Sequence, residues 1–197
     1  VSCLAKTARS AWTLALLLAQ SPAALAGDLQ PREYLDPETA ATVTVVGEPI
    51  IFANPRTEVA ANARDYVTLA AAAVDRNGKV SYVLVAYFWS TVDARVRGYP
   101  MPEPEPLIVQ ADDRRIELKL RGHSPYDLGI SVPVHPPPGP KVTPDVYSID
   151  LGVLRSIAQS RQLSLSAETN ITSVPYGLWE DHRAALRAFV QRMSGGG

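Results

Sequence analysis

The chain reads as α+β: a mainly antiparallel β-sheet or sandwich with two C-terminal helices in a helix–strand–helix segment. Three observations carry this expectation. Asp65 to Asp93 holds two long apolar runs of strand composition around an Asp75-Arg76-Asn77-Gly78-Lys79 turn, the strongest hairpin signal in the sequence. Shorter β-branched or alternating runs lie on both sides of it, separated by Gly and Pro. The last quarter shifts to helical spacing, which sets helices on one sheet face or at its end. A length of 197 residues fits one domain, or one domain plus an extension.

The central hairpin has two possible registers. Asn77-Gly78 forms a two-residue type I′ turn, or Arg76, Asn77 and Gly78 form a longer loop closing on a left-handed Gly78 bulge. The second is favoured, with Asp75 accepting bonds at the start of the turn. It sets Ala72 against Tyr82 and Ala70 against Leu84, small side chains opposite large ones. Both arms are apolar on both faces near their middle, which predicts a central position covered on two sides.

Before the hairpin, residues 27–40 carry Pro31, Pro37 and mixed charge and read as a flexible leader to a single β-rich domain spanning 41–194. Ala41 to Val46 alternates as a strand, Gly47-Glu48-Pro49 breaks it, and Ile50 to Ala53 reads as a second strand ended by Asn54-Pro55. Beyond it, Gly98 to Pro106 places proline at every second position from Pro100, an extended stiff connector. Leu107 to Ala111 and Arg115 to Leu120 flank Asp112-Asp113-Arg114 as a second hairpin with one wet face. Ile130 to Val134 reads as a further strand, stopped by the proline run from His135 to Pro140. Asp150 is placed to cap a helix from Leu151 to Ser160, and Leu163, Leu165 and Ala167 alternate as a strand. Gly177 to Trp179 introduces a last helix with Glu180 and Asp181 in its first turn and an apolar stripe of Leu186, Phe189, Val190 and Met193. Residues 195–197 form a frayed tail, and no internal repeat is present.

Composition and the N-terminus bound the partners. Lys+Arg 19 against Asp+Glu 20 gives a net charge of −1, with no basic excess or aromatic–basic interleaving to draw nucleic acid. Lys6 and Arg9 precede an apolar run from Ala11 to Ala19, followed by Ala24-Leu25-Ala26, the pattern of a secretory signal peptide over residues 1–26. The run is short for a transmembrane helix, and no later run approaches spanning length. Cleavage after Ala26 removes Lys6, Arg9 and no acid, which takes the net charge to −3. Leu25-Ala26-Gly27 ends as a lipoprotein signal does, but Asp28 stands where the modified Cys belongs. Cys3, the one cysteine, precedes the apolar run. A lipid anchor therefore lacks its nucleophile, and the mature chain has no thiol for a disulfide or a metal. The expected location is the periplasm or the exterior.

EYLDPETAATVTVVGEPIIFA (Glu33 to Ala53), followed by ARDYVTLAAAAVDRNGKVSYVLVAYFWSTVD (Ala63 to Asp93), resembles a group of uncharacterised envelope lipoproteins of Gram-negative bacteria. The resemblance implies an envelope location and transfers no activity or catalytic residue. Asp28 departs from the lipidation cysteine of that group.

Candidate chemistry is sparse. His123, His135 and Asp127 supply donors that suit zinc, but their spacing matches no metal motif, and turn residues bonding local backbone account for them. His182 falls on the stripe of the last helix and reads as a half-buried packing residue. No serine lies in a G-x-S-x-G or S-x-x-K setting that would give it a nucleophile to serve. Asp112-Asp113 lacks the alternating ligands of a calcium loop, and Glu103 and Glu105 read as a solvated face. Gly152 and Gly177 stand isolated, outside any phosphate loop. Tyr87, Phe88, Trp89 and Tyr99, at the far end of the main hairpin, form the candidate binding surface. No metal or cofactor is expected. The chain thus reads as an exported, non-catalytic interaction or accessory domain working on another envelope protein through sheet edges, proline segments or the aromatic cluster. The alternative is a small hydrolase or metal-dependent enzyme using His123, His135 or His182.

Overall fold

The computed structural model describes residues 29–93, 106–139, 142, 144–168 and 172–195. The signal-peptide pattern at 1–26, Tyr99, and Glu103 and Glu105 lie outside them. In chain order the described elements are β1 (Arg32–Leu35), β2 (Thr42–Val45), β3 (Ile50–Pro55), β4 (Arg64–Arg76), β5 (Lys79–Ser90), β6 (Leu107–Ala111), β7 (Arg114–Gly122) and β8 (Pro144–Ile149). Helix α1 (Leu151–Gln159), β9 (Leu163–Glu168), β10 (Ser173–Glu180) and helix α2 (Arg183–Gly195) complete the order. No helix among the described residues is long and apolar enough to cross a membrane.

Every pairing is antiparallel, and the order β4–β3–β10–β9–β6–β7–β8–β5 returns from β5 to β4, closing a barrel of 8 strands. This corrects the open sheet or sandwich expected from the sequence. Two strands account for the difference. Gly177 to Trp179, expected to introduce the last helix, and Glu180, expected in its first turn, instead belong to β10, which joins β9 to β3, and the helix starts at Arg183. Pro144–Ile149, in a stretch not read as a strand, is β8 and joins β7 to β5. Conversely, Ile130 to Val134 is loop, with Ile130 and Val134 buried by packing rather than by pairing.

The main hairpin turns through Asn77 (φ 55) and Gly78 (φ 78), both left-handed as type I′ requires. Arg76 pairs with Lys79, Ala71 with Leu84 and Ala73 with Tyr82, so the bulged loop favoured above does not form. Four consecutive alanines, Ala70 to Ala73, set small against large in either register, so side-chain size cannot choose between them. The turn chooses. Asp75 Oδ1 does accept from the Gly78 N–H, at 2.8 Å.

Alternation along the paired strands assigns one face to the barrel interior: Ile50 and Phe52, Val67 and Leu69, Leu84, Leu107, Leu165 and Tyr176, each buried. Eight strands enclose a space that side chains can fill. The helices close one mouth. Leu154 and Ile157 of α1 and Leu186 and Phe189 of α2 are buried, and Ile157 and Leu186 meet Ile50, Leu69 and Leu84 around a residual space of about 10 Å³. That is room for about one water. The helices are tied to the strands by polar bonds. Asp112 Oδ1, in the β6–β7 turn, accepts from Arg161 N and Gln162 N at 2.9 and 2.8 Å. His182 holds the start of α2 to the β2–β3 turn, with Nδ1 2.7 Å from the Pro49 carbonyl and Nε2 3.2 Å from Glu48. Asp150 does sit at the N-cap of α1, but its side chain makes no cap bond.

The expected leader contains structure. Arg32–Leu35 pairs with β2, which itself pairs with the second half of β4. The turn after β1 is anchored by Asp36, 1% exposed, which accepts from Ser131 N at 2.6 Å, Ser131 Oγ at 2.9 Å, Thr39 N at 3.0 Å and Glu38 N at 3.1 Å. Thr39 Oγ1 and Arg76 Nη2 donate to the Gly129 and Leu128 carbonyls at 2.7 and 2.5 Å. The 123–139 loop is thereby held against the outer wall over β5, giving β4–β5 the cover on two faces that its composition requires.

Burial would raise the Asp36 pKa, but the Ser131, Thr39 and Glu38 amides and the Ser131 hydroxyl outweigh it and hold the carboxyl well below the usual range. A carboxyl depressed on folding contributes stability above its unfolded pKa of about 3.9 and loses it as pH falls further. We expect the denaturant midpoint of the wild type to fall steeply below about pH 4. Asp36→Asn should be less stable at pH 7, because its amide NH2 faces donors, and its acid slope should be shallower.

Candidate functional site: an aromatic wall

On the outer face of the barrel, toward the mouth away from the helices, Tyr66 of β4 lies directly opposite Trp89 of β5. Their rings stack with centroids 4.1 Å apart and planes at 10°. Trp89 Nε1 donates to Thr68 Oγ1 at 3.0 Å, which fixes the indole. Trp179 of β10 meets Tyr66 edge-on at 6.1 Å and 78°, and the Arg64 guanidinium sits 4.6 Å from its ring centroid. Trp179 stands where the β10–β3 register shifts between Leu178 and Glu180, an irregularity that re-aims a side chain. It is 50% exposed, against 8% for Tyr66. Gly177 beside it adds no side chain to the surface.

The rim behind this wall is stiff. Arg56 and Asp65, both buried, pair at 2.6 Å, and Ser90 Oγ donates to the other Asp65 oxygen at 2.5 Å. Arg56 Nε also reaches Glu58 at 2.5 Å. Arg64 N donates to Thr91 Oγ1 at 2.9 Å, and Thr91 N to the Arg64 carbonyl at 3.0 Å. A buried ion pair of this kind contributes geometry more than net stability, because desolvation offsets its attraction. The chemical result is an aromatic surface with one cation held against the exposed Trp179 ring, suited to stacking and to charge recognition.

Of the four aromatic residues singled out from the sequence, the three described ones do not gather. Trp89 belongs to the wall. Phe88, one residue away, is opposite Val67 and turns into the barrel. Tyr87 is on the outer face but 1% exposed beneath the 123–139 loop, and Tyr99 lies outside the described residues. The residues missed are Arg64, Tyr66 and Trp179. The type I′ register would have found Tyr66, since it sets that residue against Trp89.

The histidines are dispersed. His123 is at the barrel end opposite the helices, exposed, with Nδ1 2.7 Å from Asp145. His182 is committed at both ring nitrogens at the helical end, and is partly buried as its place on the stripe predicts. His135 lies in the loop, where burial and then Arg32 push its pKa down while Glu48 opposes them. Glu48 thus neighbours two histidines but contacts only His182. Among the described residues no three His, Cys, Asp or Glu side chains gather to hold a metal ion; the Asp127 side chain lies outside that set. Asp112, weighed above as a calcium ligand, is a strut for α1. A depression of about 560 Å³ between α1 and α2 has Arg155 and Arg187 on its walls, donating to Ser194 Oγ at 2.8 Å and the Ala158 carbonyl at 3.0 Å.

If the wall is a presented surface rather than core, its outer ring is dispensable to folding. Trp179→Ala should change stability by less than about 1 kcal/mol, whereas Tyr66→Ala should cost about 3 kcal/mol by removing a buried ring. Urea titrations of the two variants check this.

Compared with known proteins, the chain matches no family model, no curated protein and no solved structure.

Proposed function

We propose that the protein is an exported, non-catalytic binding module of the cell envelope that docks another envelope protein on its outer barrel wall. One observation carries the reading: Trp179 is half-exposed on a stiff surface, with Arg64 over its ring and the Tyr66–Trp89 stack at its edge. Trp, Tyr and Arg are the side chains that dominate binding energy at protein interfaces, above all where they are held in place beforehand. Export is supported by the charge, apolar run and small residues of positions 1–26.

The mode differs from strand addition. Closure leaves the barrel strands mutually paired, and β1, with one pairing partner, is four residues long between Pro31 and Pro37. Short, proline-bracketed edges resist extension. Recognition by side chains on the wall fits this fold better. A histidine-based hydrolase or metal enzyme draws little support from His123 and His182 at opposite barrel ends, with His182 already bonded at both nitrogens.

Photo-crosslinking in the source cell's envelope tests the proposal. A benzophenone side chain at Trp179 should give one dominant protein adduct that weakens in an Arg64→Ala background. The same group at Val80, exposed at the hairpin tip, should give none. Identical adducts at both positions, or none at Trp179, would contradict it.

A further inference from the structure

The two helices carry charge of one sign. Arg155 of α1 and Arg183, Arg187 and Arg192 of α2 are their only ionisable side chains, in a chain whose net charge is −1. Arg183 and Arg192 are paired, with Asp181 at 2.5 Å and Glu33 at 2.7 Å. Arg155 and Arg187 bond neutral oxygens instead, Ser194 Oγ and the Ala158 carbonyl, and both line the depression of about 560 Å³ between the helices. Asp181 also feels Arg187, but Arg183 holds it through both carboxylate oxygens. None of the described lining residues is acidic.

Small residues shape the depression. Leu186, Phe189 and Val190 turn one face of α2 into the barrel mouth, and Ala184, Arg187, Ala188, Gln191 and Ser194 recur at helical spacing on the opposite face. Ala184 and Ala188, with Ala158 of α1, leave the seam between the helices open. From Ala184 to Ser194 the lining runs about 15 Å, three turns of a helix. Arg187 and Ser194 are two turns apart on α2, which spaces the two guanidiniums about 10 Å along the seam. Cations so spaced do not converge on one small anion. Nor does the lining expose a Leu, Phe or Trp for a lipid surface to take up.

We infer that the depression receives an acidic helix of another protein, its small side chains on the three alanines and its carboxylates, seven residues apart, on Arg155 and Arg187. Alanines let helix axes approach to the ~8–10 Å of packed pairs. Seven residues of an α-helix rise about 10 Å, the spacing of the two arginines. Each guanidinium gives one N–H to its present bond and keeps four, in a fork that fits a carboxylate. A second copy does not supply the occupant from α1 or α2, since neither contains an acid. The surface lies at the opposite end of the barrel from the aromatic wall and does not depend on it.

The probe is a fluorescein-labelled alanine–glutamine peptide of about 18 residues, long enough to be helical, with two glutamates seven residues apart. Its control has glutamine at both positions. In anisotropy titrations with the full chain, the glutamate peptide should bind, more weakly as salt is added, and the control about tenfold less tightly. Arg155→Gln and Arg187→Gln, both at exposed positions, should each weaken the glutamate peptide about threefold, the scale of an exposed ion pair. Neither should alter the control. Ala188→Gln should weaken both peptides by filling the seam, and Arg121→Gln, at the other end of the barrel, should change neither. Equal loss from Arg121→Gln would reduce the effect to net charge and overturn the inference. So would equal binding of the two peptides, or no binding at about 1 mM. Displacement of the peptide by phosphatidylglycerol vesicles and not by phosphatidylcholine vesicles would assign the face to a lipid surface, and would overturn it too.

Discussion

An unpaired strand edge leaves a row of backbone N–H and C=O groups without partners, and this fold is governed by how it avoids one. β10 lies between β9 and β3, and β8 between β7 and β5, so each barrel strand has a neighbour on both sides. Remove either strand and the rest opens into a curved sheet with two sticky edges. Two joins shift register, β7–β8 between Leu120 and Gly122 and β10–β3 beside Trp179. At β10–β3 the same irregularity that loosens the ladder turns an indole outward. Closure and the presented surface are therefore one feature of the chain.

Closing eight strands leaves an interior that side chains fill, and the apolar faces of α1 and α2 stopper one end of it. With the inside spent on the core, recognition moves to the outer wall. That wall is not uniform. Over β7 and β9 it is wet, with Arg115, Glu117, Lys119 and Ser164 facing out. Over β4 and β5 it is apolar, covered toward Tyr87 by the loop that Asp36 clamps and bare toward Trp179. The clamp explains why residues near the N-terminus matter to a surface built from the middle of the chain.

Features set by neighbouring residues were legible in advance. The β4–β5 and β6–β7 hairpins, α1, β9 and the buried stripe of α2 follow from local period and turn chemistry, and each lies where its pattern placed it. Closure was not legible, because Gly177 to Glu180 reads as the entry and first turn of the last helix, while the strand they form is stabilised by partners distant in sequence. The hairpin register was open for a definite reason, since the alanine run satisfies both pairings. That ambiguity hid Tyr66 behind Trp89, and with it the wall. Asp36 carried no local signal either, as the donors that bury it come largely from Ser131.

Amide hydrogen exchange across β3 and β10 tests the closed barrel most directly. The amides of β3 that point away from β4 have partners only if β10 is paired there. In the closed barrel they, and the β10 amides facing them, exchange with the same protection as the β4–β5 core, through global unfolding. Alternate β3 amides exchanging rapidly by local opening, while β4–β5 stays protected, would show an open sheet and contradict it.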